Sequence, residues 1–355
     1  MNALEHQLNY PYGDVMPEPG HTMEVAPGIR WVRMALPFAL DHINLWLLRD
    51  KIDGKDGWSI VDCGIANDAT RAAWELVFAN ELQGLPVLRV IVTHLHPDHI
   101  GLSAWLTERW TTPEHECRLW ISGTDYNGAR MSSNPSAKAS VITPVFAKSH
   151  GSTDPEALQM IQTRGGHYAT MVPKVPERFR RMVDGDVIRI GGHDWHCHVG
   201  YGHAPEHISL HSPAQGVLIS GDMVLPRIST NVGVHENEPE GDPLKRYLDS
   251  VERMRALPAD SLVLPSHGKP FKGLHTRIDQ LQSHHDERLA EVMDACAKAP
   301  QSAADLLTVL FKRKLDLHQT TFAMGESIAH LHALWHAGKL VRQRDAKGVY
   351  RFTPA

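Results

Sequence analysis

The chain has 355 residues, 42% of them hydrophobic, and sets 36 lysines and arginines against 41 aspartates and glutamates for a net charge of −5. That length and apolar content can bury a full core and leave room for two or three domains, while the acidic balance gives no general attraction for nucleic acid. Four scattered cysteines make no disulfide framework, no apolar run is long enough to span a bilayer, and the first residues lack a basic stretch followed by an apolar one, so a cytoplasmic protein is expected.

Residues 1–28 are rich in proline and glycine (Pro11, Pro17, Pro19, Gly20, Pro27, Gly28) and read as an extended lead-in. Strands follow near Asn44–Leu48 and Trp58–Val61, then a helix near Asp68–Leu82 and the β-branched strand Leu88–Val92. Directly after that strand stands Thr93-His94-Leu95-His96-Pro97-Asp98-His99, and Ile100–Leu106 then reads as a helix. Three imidazoles and a carboxylate in so short a run form a metal-binding loop at the carboxyl end of a buried strand, where open α/β sheets place their chemistry. His94 and His96, two apart, turn to one side while Asp98 and His99 swing to another, a spacing that suits two adjacent metals. In a chain with 24 histidines some neighbours arise by chance, but a buried loop this rich in polar rings needs partners for all of them.

Between about 122 and 182 the chain carries an insertion. Tyr126–Met131 and Pro155–Thr163 read as helices, Gly165-Gly166-His167-Tyr168 interrupts the pattern, and Glu177–Arg181 leads into the next strand. Its length and position before His203 predict a helical cap over the site, with His167 and Tyr168 as candidate substrate contacts. Three more strand ends carry metal-binding residues: His203 and His207 in Gly202–His207 after Trp195–Val199, Asp222 after Val217–Ser220, and His267 after Leu262–Pro265. His193, His196 and His198 are expected to be partly exposed strand residues, since no further ligand is placed to complete a sphere. The loop Leu225–Asn231 borders Asp222, so its Arg227 either binds an anionic group or pairs with a surface carboxylate.

Helices are predicted over Asp242–Leu257 and Gly273–Ala297, the second with His284 and His285 solvated on a polar face. A short capped helix is expected over Ser302–Leu307. An amphipathic helix over Glu326–Ala337 places Ile328, Leu331, Leu334 and Trp335 on one side, and Gly338–Phe352 reads as a hairpin turning at Lys347-Gly348. Three helices and a hairpin resemble a winged-helix module over 285–355. Arg342, Arg344, Lys347 and Arg351 make its wing basic, but the helix that would read a groove carries Glu326, His330, His332 and His336 instead of arginines and lysines. Packing against the rest of the chain or a second copy in a homodimer is therefore expected in preference to nucleic-acid binding.

The run His94–His99, the run Gly202–His207, the pair Gly221-Asp222 and the turn Ser266-His267-Gly268 together resemble the five-part signature of the metallo-β-lactamase superfamily, over about residues 30–275. The set is similar to glyoxalase II-like hydrolases, and Leu315-Asp316-Leu317-His318-Gln319 resembles a motif in the carboxy-terminal extension of lactamase-B-like proteins. The resemblance implies an α/β protein, with an αββα sandwich over 29–280, and two divalent cations, zinc before iron or manganese. It assigns His94, His96 and His203 to one metal and Asp98, His99 and His267 to the other, with Asp222 bridging. Asp62, ending Trp58–Val61, would brace the loop from behind, as would His207. Where glyoxalase II-type members have glycine, this chain has Glu206, whose carboxylate either points to solvent or meets substrate.

The implied chemistry is hydrolysis of a small-molecule thioester, ester or lactone by a hydroxide shared between the metals, with Asp98 also orienting that nucleophile. No serine or cysteine nucleophile is needed, and no G-x-S-x-G turn is present. Two alternatives stand beside it. One is a ribonuclease, since some members with this extension cut RNA; the other is a persulfide dioxygenase using one iron on part of the ligand set.

Overall fold

The computed structural model of the protein describes residues 2–134, 142–156, 158–159 and 166–355. Much of the expected helix Pro155–Thr163, together with Gly165, lies outside them.

The first sheet takes its strands in chain order: β1 (Thr22–Ala26), β2 (Ile29–Ala35), β3 (His42–Ile52), β4 (Lys55–Val61), β5 (Val87–Ile91), β6 (Arg118–Ile121) and β7 (Phe179–Arg181). Pairing is antiparallel from β1 to β4 and parallel from β4 to β7. Its crossovers hold α1 (Asp68–Asn80), α2 (Pro97–Ile100) and α3 (Ser103–Trp110), then the insertion's α4 (Gly123–Ser132), α5 (Ile142–Ser149) and α6 (His167–Met171). The second sheet, ordered β12-β11-β10-β9-β8, comprises β8 (Val187–Ile190), β9 (His193–Gly200), β10 (His207–Ser212), β11 (Val217–Gly221) and β12 (Leu262–Pro265). After it come α7 (Pro243–Arg253, before β12), α8 (Leu274–Lys298), α9 (Leu307–Leu310), α10 (Leu317–His336) and the hairpin β13 (Leu340–Arg344) and β14 (Tyr350–Pro354).

Strand alternation builds the layers. On β3, Trp46 and Leu48 turn inward to meet Trp195, Ile208 and Leu264 of the second sheet. Leu45 and Leu47 turn outward against Trp74, Val77 and Leu106 of α1 and α3. Central strands buried on both faces read as largely apolar runs for that reason. No helix among the described residues is long and apolar enough to cross a membrane.

Four local expectations are corrected. The lead-in is not extended throughout, because Glu5–Gln7 form a helical turn, and its last residues are not free of the fold but form β1, an edge strand with a single buried side chain, Val25. The helix expected over Ile100–Leu106 is broken: Pro97 starts α2 inside the metal loop, and α3 begins at Ser103. Gly101 allows that break, since a Cβ there would lie 2.5 Å from Pro97 O and 2.7 Å from Gly64 O. Ser302 and Asp305 do bond to each other at 2.6 Å, yet the helix after them starts only at Leu307. The helix expected from Glu326 starts at Leu317, because Asp316 and Gln319 form a complete capping box.

The C-terminal elements share one core with the outer face of the second sheet. Leu218 and Val263 of that sheet join Tyr247, Ile278, Leu306, Leu331, Leu334 and Phe352 in a single cluster. His285 is thereby buried, not solvated, with Nδ1 3.3 Å from His330 Nε2. On α8 it shares the buried face with Ile278, Leu281 and Val292, while the neighbouring His284 is half-buried. The insertion reaches the same region, where the His150 ring lies 5.3 Å from Tyr350 and 6.2 Å from His332.

A buried ion pair ties the two sheets together. Arg89 donates to Asp50 Oδ2 at 2.6 and 2.9 Å, and also to Arg189 O of β8. Asp50 accepts from Ser59 Oγ and from Gly191 N, in the turn after β8. Arg89→Met strands that carboxylate and should cost about 3–5 kcal/mol, most of it recovered in Asp50→Asn/Arg89→Met. Urea denaturation of the three proteins measures this, and equal midpoints for the single variant and wild type would refute it.

Burial pushes the pKa of His285 down to about 2 and those of His150, His330 and His332 down to about 4. Below about pH 6.5 the unfolded chain binds protons on these rings while the folded chain does not. Stability must therefore fall as pH drops from about 6.5 to 4, by up to roughly 1.4 kcal/mol per ring per pH unit. Hydrogen exchange of the α10 amides at pH 7 and pH 5 tests it; equal opening energies would contradict it.

Candidate metal centre

The seven expected ligands lie at strand ends along one edge of the sandwich. At the end of β4, Asp62 adopts a left-handed φ of +63°, a conformation uncommon for a non-glycine residue. That bend sets its carboxylate under the metal loop. Oδ1 accepts from Thr93 N at 2.8 Å and Oδ2 accepts from His99 Nδ1 at 2.8 Å. Thr93 Oγ1 donates to the same carboxylate and accepts from His94 Nδ1 at 2.9 Å. Farther along the chain, His203 Nδ1 donates to Asn231 O at 2.8 Å and His267 Nδ1 donates to His42 O at 2.7 Å. Every one of these bonds uses the Nδ1 proton and leaves Nε2 as a bare lone pair turned inward.

Those inward atoms form two groups, each with ligand atoms within 4.8 Å of one another: His94, His96, His203 and Asp222, then Asp98, His99 and His267. Asp222 faces both. Its Oδ2 lies 3.2 Å from His203 Nε2, and its Oδ1 lies 3.5 Å from His267 Nε2 and 3.6 Å from His99 Nε2. Asp98 Oδ2 lies 3.5 Å from His267 Nε2 and 3.6 Å from His99 Nε2.

The donor set fits divalent cations. His94 Nε2 and His203 Nε2 are 3.1 Å apart, two lone pairs with no proton left to place between them. His99 Nε2 and Asp222 Oδ1 are buried with no hydrogen-bond partner. One cation in each group would satisfy these atoms. Burial and the neighbouring rings hold His94 well below the ordinary imidazole range, in the neutral ligand form. Around His99 burial opposes charge, but Asp98, Asp62 and Asp222 outweigh it and lift the ring to about 10. Those three carboxylates thus demand positive charge at the centre.

Three braces escape the sequence reading. Asp125 of α4 is fully buried; its Oδ1 accepts from Leu95 N at 2.9 Å and its Oδ2 from Glu206 N at 2.7 Å. One carboxylate thus clamps the first metal loop to the second. The only local signal is Ser122 three residues earlier, a capping spacing, and Ser122 does cap α4. Asn44 Nδ2 donates to Pro265 O and Gly268 O, both at 2.8 Å, fixing the turn that carries His267. His42 accepts from Gly268 N at 2.8 Å through Nε2.

His207 is buried and accepts from Asp222 N through Nε2 at 3.0 Å, with burial pushing its pKa down to about 3. It faces the backbone of a ligand, so it positions Asp222. Gly221 precedes that aspartate at φ +54°, and a Cβ there would lie 2.3 Å from the His207 ring.

The four candidate substrate contacts separate. Tyr168 donates its hydroxyl to Leu95 O, so it stands on the metal loop; burial, then Asp125 and Asp98, raise its phenol far above the ordinary value. His167 is exposed at the start of α6. Glu206 turns to α4, where it accepts from Thr124 N at 3.2 Å. Arg227 takes the surface alternative, with Nε 3.1 Å from Glu5 Oε2.

Comparison with known proteins agrees with this geometry. The family model described as "Metallo-beta-lactamase superfamily" matches residues 39–267. The chain belongs to the metallo-beta-lactamase superfamily. A second model, "Metallo-beta-lactamase-like, C-terminal domain", matches residues 289–355. Within the superfamily the chain is 23% identical over 330 residues to a probable metallo-hydrolase, YqjP, of Bacillus subtilis (strain 168), covering 90% of this chain and 96% of that one. It is 26% identical over 253 residues to a linear primary-alkylsulfatase of Pseudomonas sp. (strain ATCC 19151), covering 68% of this chain and 45% of that enzyme. Among solved structures, a beta-lactamase domain protein from Burkholderia ambifaria matches over 100% of both chains at 54% identity and TM-score 0.94. A metallo-beta-lactamase family protein of Thermus thermophilus matches at 28% identity and TM-score 0.76, covering 94% of this chain and 100% of that one.

Asp125→Ala leaves every ligand side chain in place but frees the two loops from each other. Metal affinity should fall by about 10–100-fold, measured by competition with a chromogenic chelator. An unchanged affinity in a folded variant would remove Asp125 from the account.

Proposed function

We propose that the protein is a two-metal hydrolase, most naturally a zinc enzyme, acting on a small-molecule thioester, ester or lactone. The observation that carries this reading is Asp222, whose two oxygens face separate donor groups at 3.2 and 3.5 Å. A nitrogen-rich set with carboxylates suits zinc, and three or four protein donors per group leave room for water. Two divalent cations held there supply Lewis acidity and bring the pKa of a water towards neutrality.

The chain's own residues do the rest. Asp98 Oδ2, between His99 and His267, accepts a hydrogen bond from the attacking water and orients it. The water's oxygen bonds to the acyl carbon, the bond to sulfur or oxygen breaks, and the leaving group takes up the proton. Tyr168, protonated and fixed on Leu95 O, holds the loop that carries His94 and His96 from the insertion side. Small size is supported by the cavity beside His203, about 160 Å³. All seven candidate ligands come from one chain.

A second reading, hydrolysis of an alkyl sulfate, is favoured by the similarity to the primary-alkylsulfatase. The same donors would then activate water against a sulfate ester in place of an acyl one, with sulfate and an alcohol as products. Metal-reconstituted protein should be assayed against thioesters, esters, lactones, β-lactams, alkyl sulfates, phosphodiesters and RNA, with elemental analysis alongside. His96→Ala and Asp222→Ala are expected to lose bound metal and hydrolysis while unfolding as cooperatively as wild type. Cleavage of RNA alone would overturn the proposal, as would a single iron with persulfide oxidation and no hydrolysis.

A further inference from the structure

The segment between Asp222 and α7 runs along the His203 side of the centre and is held by two parts of the chain that supply no ligand. Val234 N donates to Gly325 O of α10 at 3.1 Å. The backbones of Gly233 and Gly325 approach so closely that a Cβ on either would sit 3.4 Å from the other's backbone. From the insertion, Thr143 Oγ1 of α5 donates to Glu236 Oε1 at 2.6 Å. Helices α5 and α10 are thereby drawn together over one loop.

Two cavities meet at that loop. The outer one, about 160 Å³, lies beside His203 and has His235, Asn237 and Arg246 in its wall. The inner one, about 80 Å³ and partly open, lies between α5 and α10, where Phe146, Ala147, Met324 and Ile328 give it a mainly apolar wall beside Thr143, Ser152, Thr320 and Thr321. Val234 and His235 belong to both walls. Among the described residues these two line both a space beside a candidate metal ligand and a mainly apolar one. Among the described residues the charged one in the inner lining is Glu236, which disfavours a carboxylate or phosphate there. An apolar recess of this kind is poorly hydrated and favours aliphatic groups.

We propose that the inner cavity receives the unbranched aliphatic tail of an acyl substrate whose carbonyl lies beside His203, with Val234 and His235 forming the neck between them. The carbonyl half of this assignment rests on the hydrolase reading above; the tail half does not. It gives the insertion and the C-terminal helix a shared task, that of measuring chain length. Ala147 on α5 and Met324 on α10 line the cavity from opposite sides, and neither touches the metal-binding residues.

Calorimetric titration of the metal-loaded protein with linear carboxylates from acetate to decanoate reads the cavity directly. Affinity should rise about fourfold per methylene and then stop once the inner space is full. Ala147→Phe should move that plateau to shorter chains and leave acetate unchanged, whereas Met324→Ala should move it to longer ones. Opposite shifts cannot come from a shared loss of folding. Affinity independent of chain length, or a wild-type plateau in both variants, overturns the assignment. Hydrolysis of the matching thioesters separates the two ideas. A plateau without hydrolysis would keep the tail cavity and reject the hydrolase; hydrolysis at one rate for every chain length, unmoved by either variant, would do the reverse.

Discussion

Lone pairs that face one another in a buried space repel, and this protein gathers seven side chains whose free nitrogens and oxygens do so. His94 and His203 point bare nitrogens at each other, and Asp222 sets a carboxylate between rings from both halves of the sandwich. Nothing in the polypeptide rewards such crowding; a cation does. What the polypeptide supplies is resistance to the rings turning away. Asp62, Asn231 O and His42 O each hold an Nδ1 proton from behind, so the inward atom of each ring is decided before any ion arrives. Preorganisation of this kind converts an unfavourable contact into affinity.

The braces also explain why two sheets are needed. His94 through His99 hang from β5 of the first sheet, while His203, Asp222 and His267 lie beside β9, β11 and β12 of the second. Their relative placement depends on how firmly the layers are joined. Asp50 and Arg89 join them deep in the sandwich, Asn44 bridges from β3 to the turn after β12, and Asp125 clamps the loops at the working edge. Each of these is a buried hydrogen-bonded carboxylate or amide, costly to strand and therefore directional.

The cluster of candidate ligands was legible in the sequence because its spacing is local: three imidazoles and a carboxylate in one loop declare themselves, and strand ends locate the remainder. Central strands were legible for a similar reason, since burial on both faces leaves mostly apolar runs, broken only at positions such as Arg89 and Asn44 that find buried partners. What escaped depends on distant partners. Asp125 looks like an ordinary residue of a helix's first turn until Leu95 and Glu206 are brought to it. His285 looks solvated because the helix that covers it lies far along the chain. β1 shows a single buried side chain, too weak a pattern to separate from a proline-rich lead-in. Arg227 presented two equal choices, and the decision fell to Glu5, a residue no periodicity connects to it.

The apolar cluster that runs from Leu218 and Val263 through α8 to Leu331 and Phe352 has no seam. A family boundary drawn near residue 289 therefore cuts through a continuous interior. Evolution could add such a module at the end of a gene, but once the outer face of the second sheet came to rely on it for shelter from water, the addition ceased to be detachable. A shortened enzyme would need new polar residues on α7 and α8 before it could stand alone.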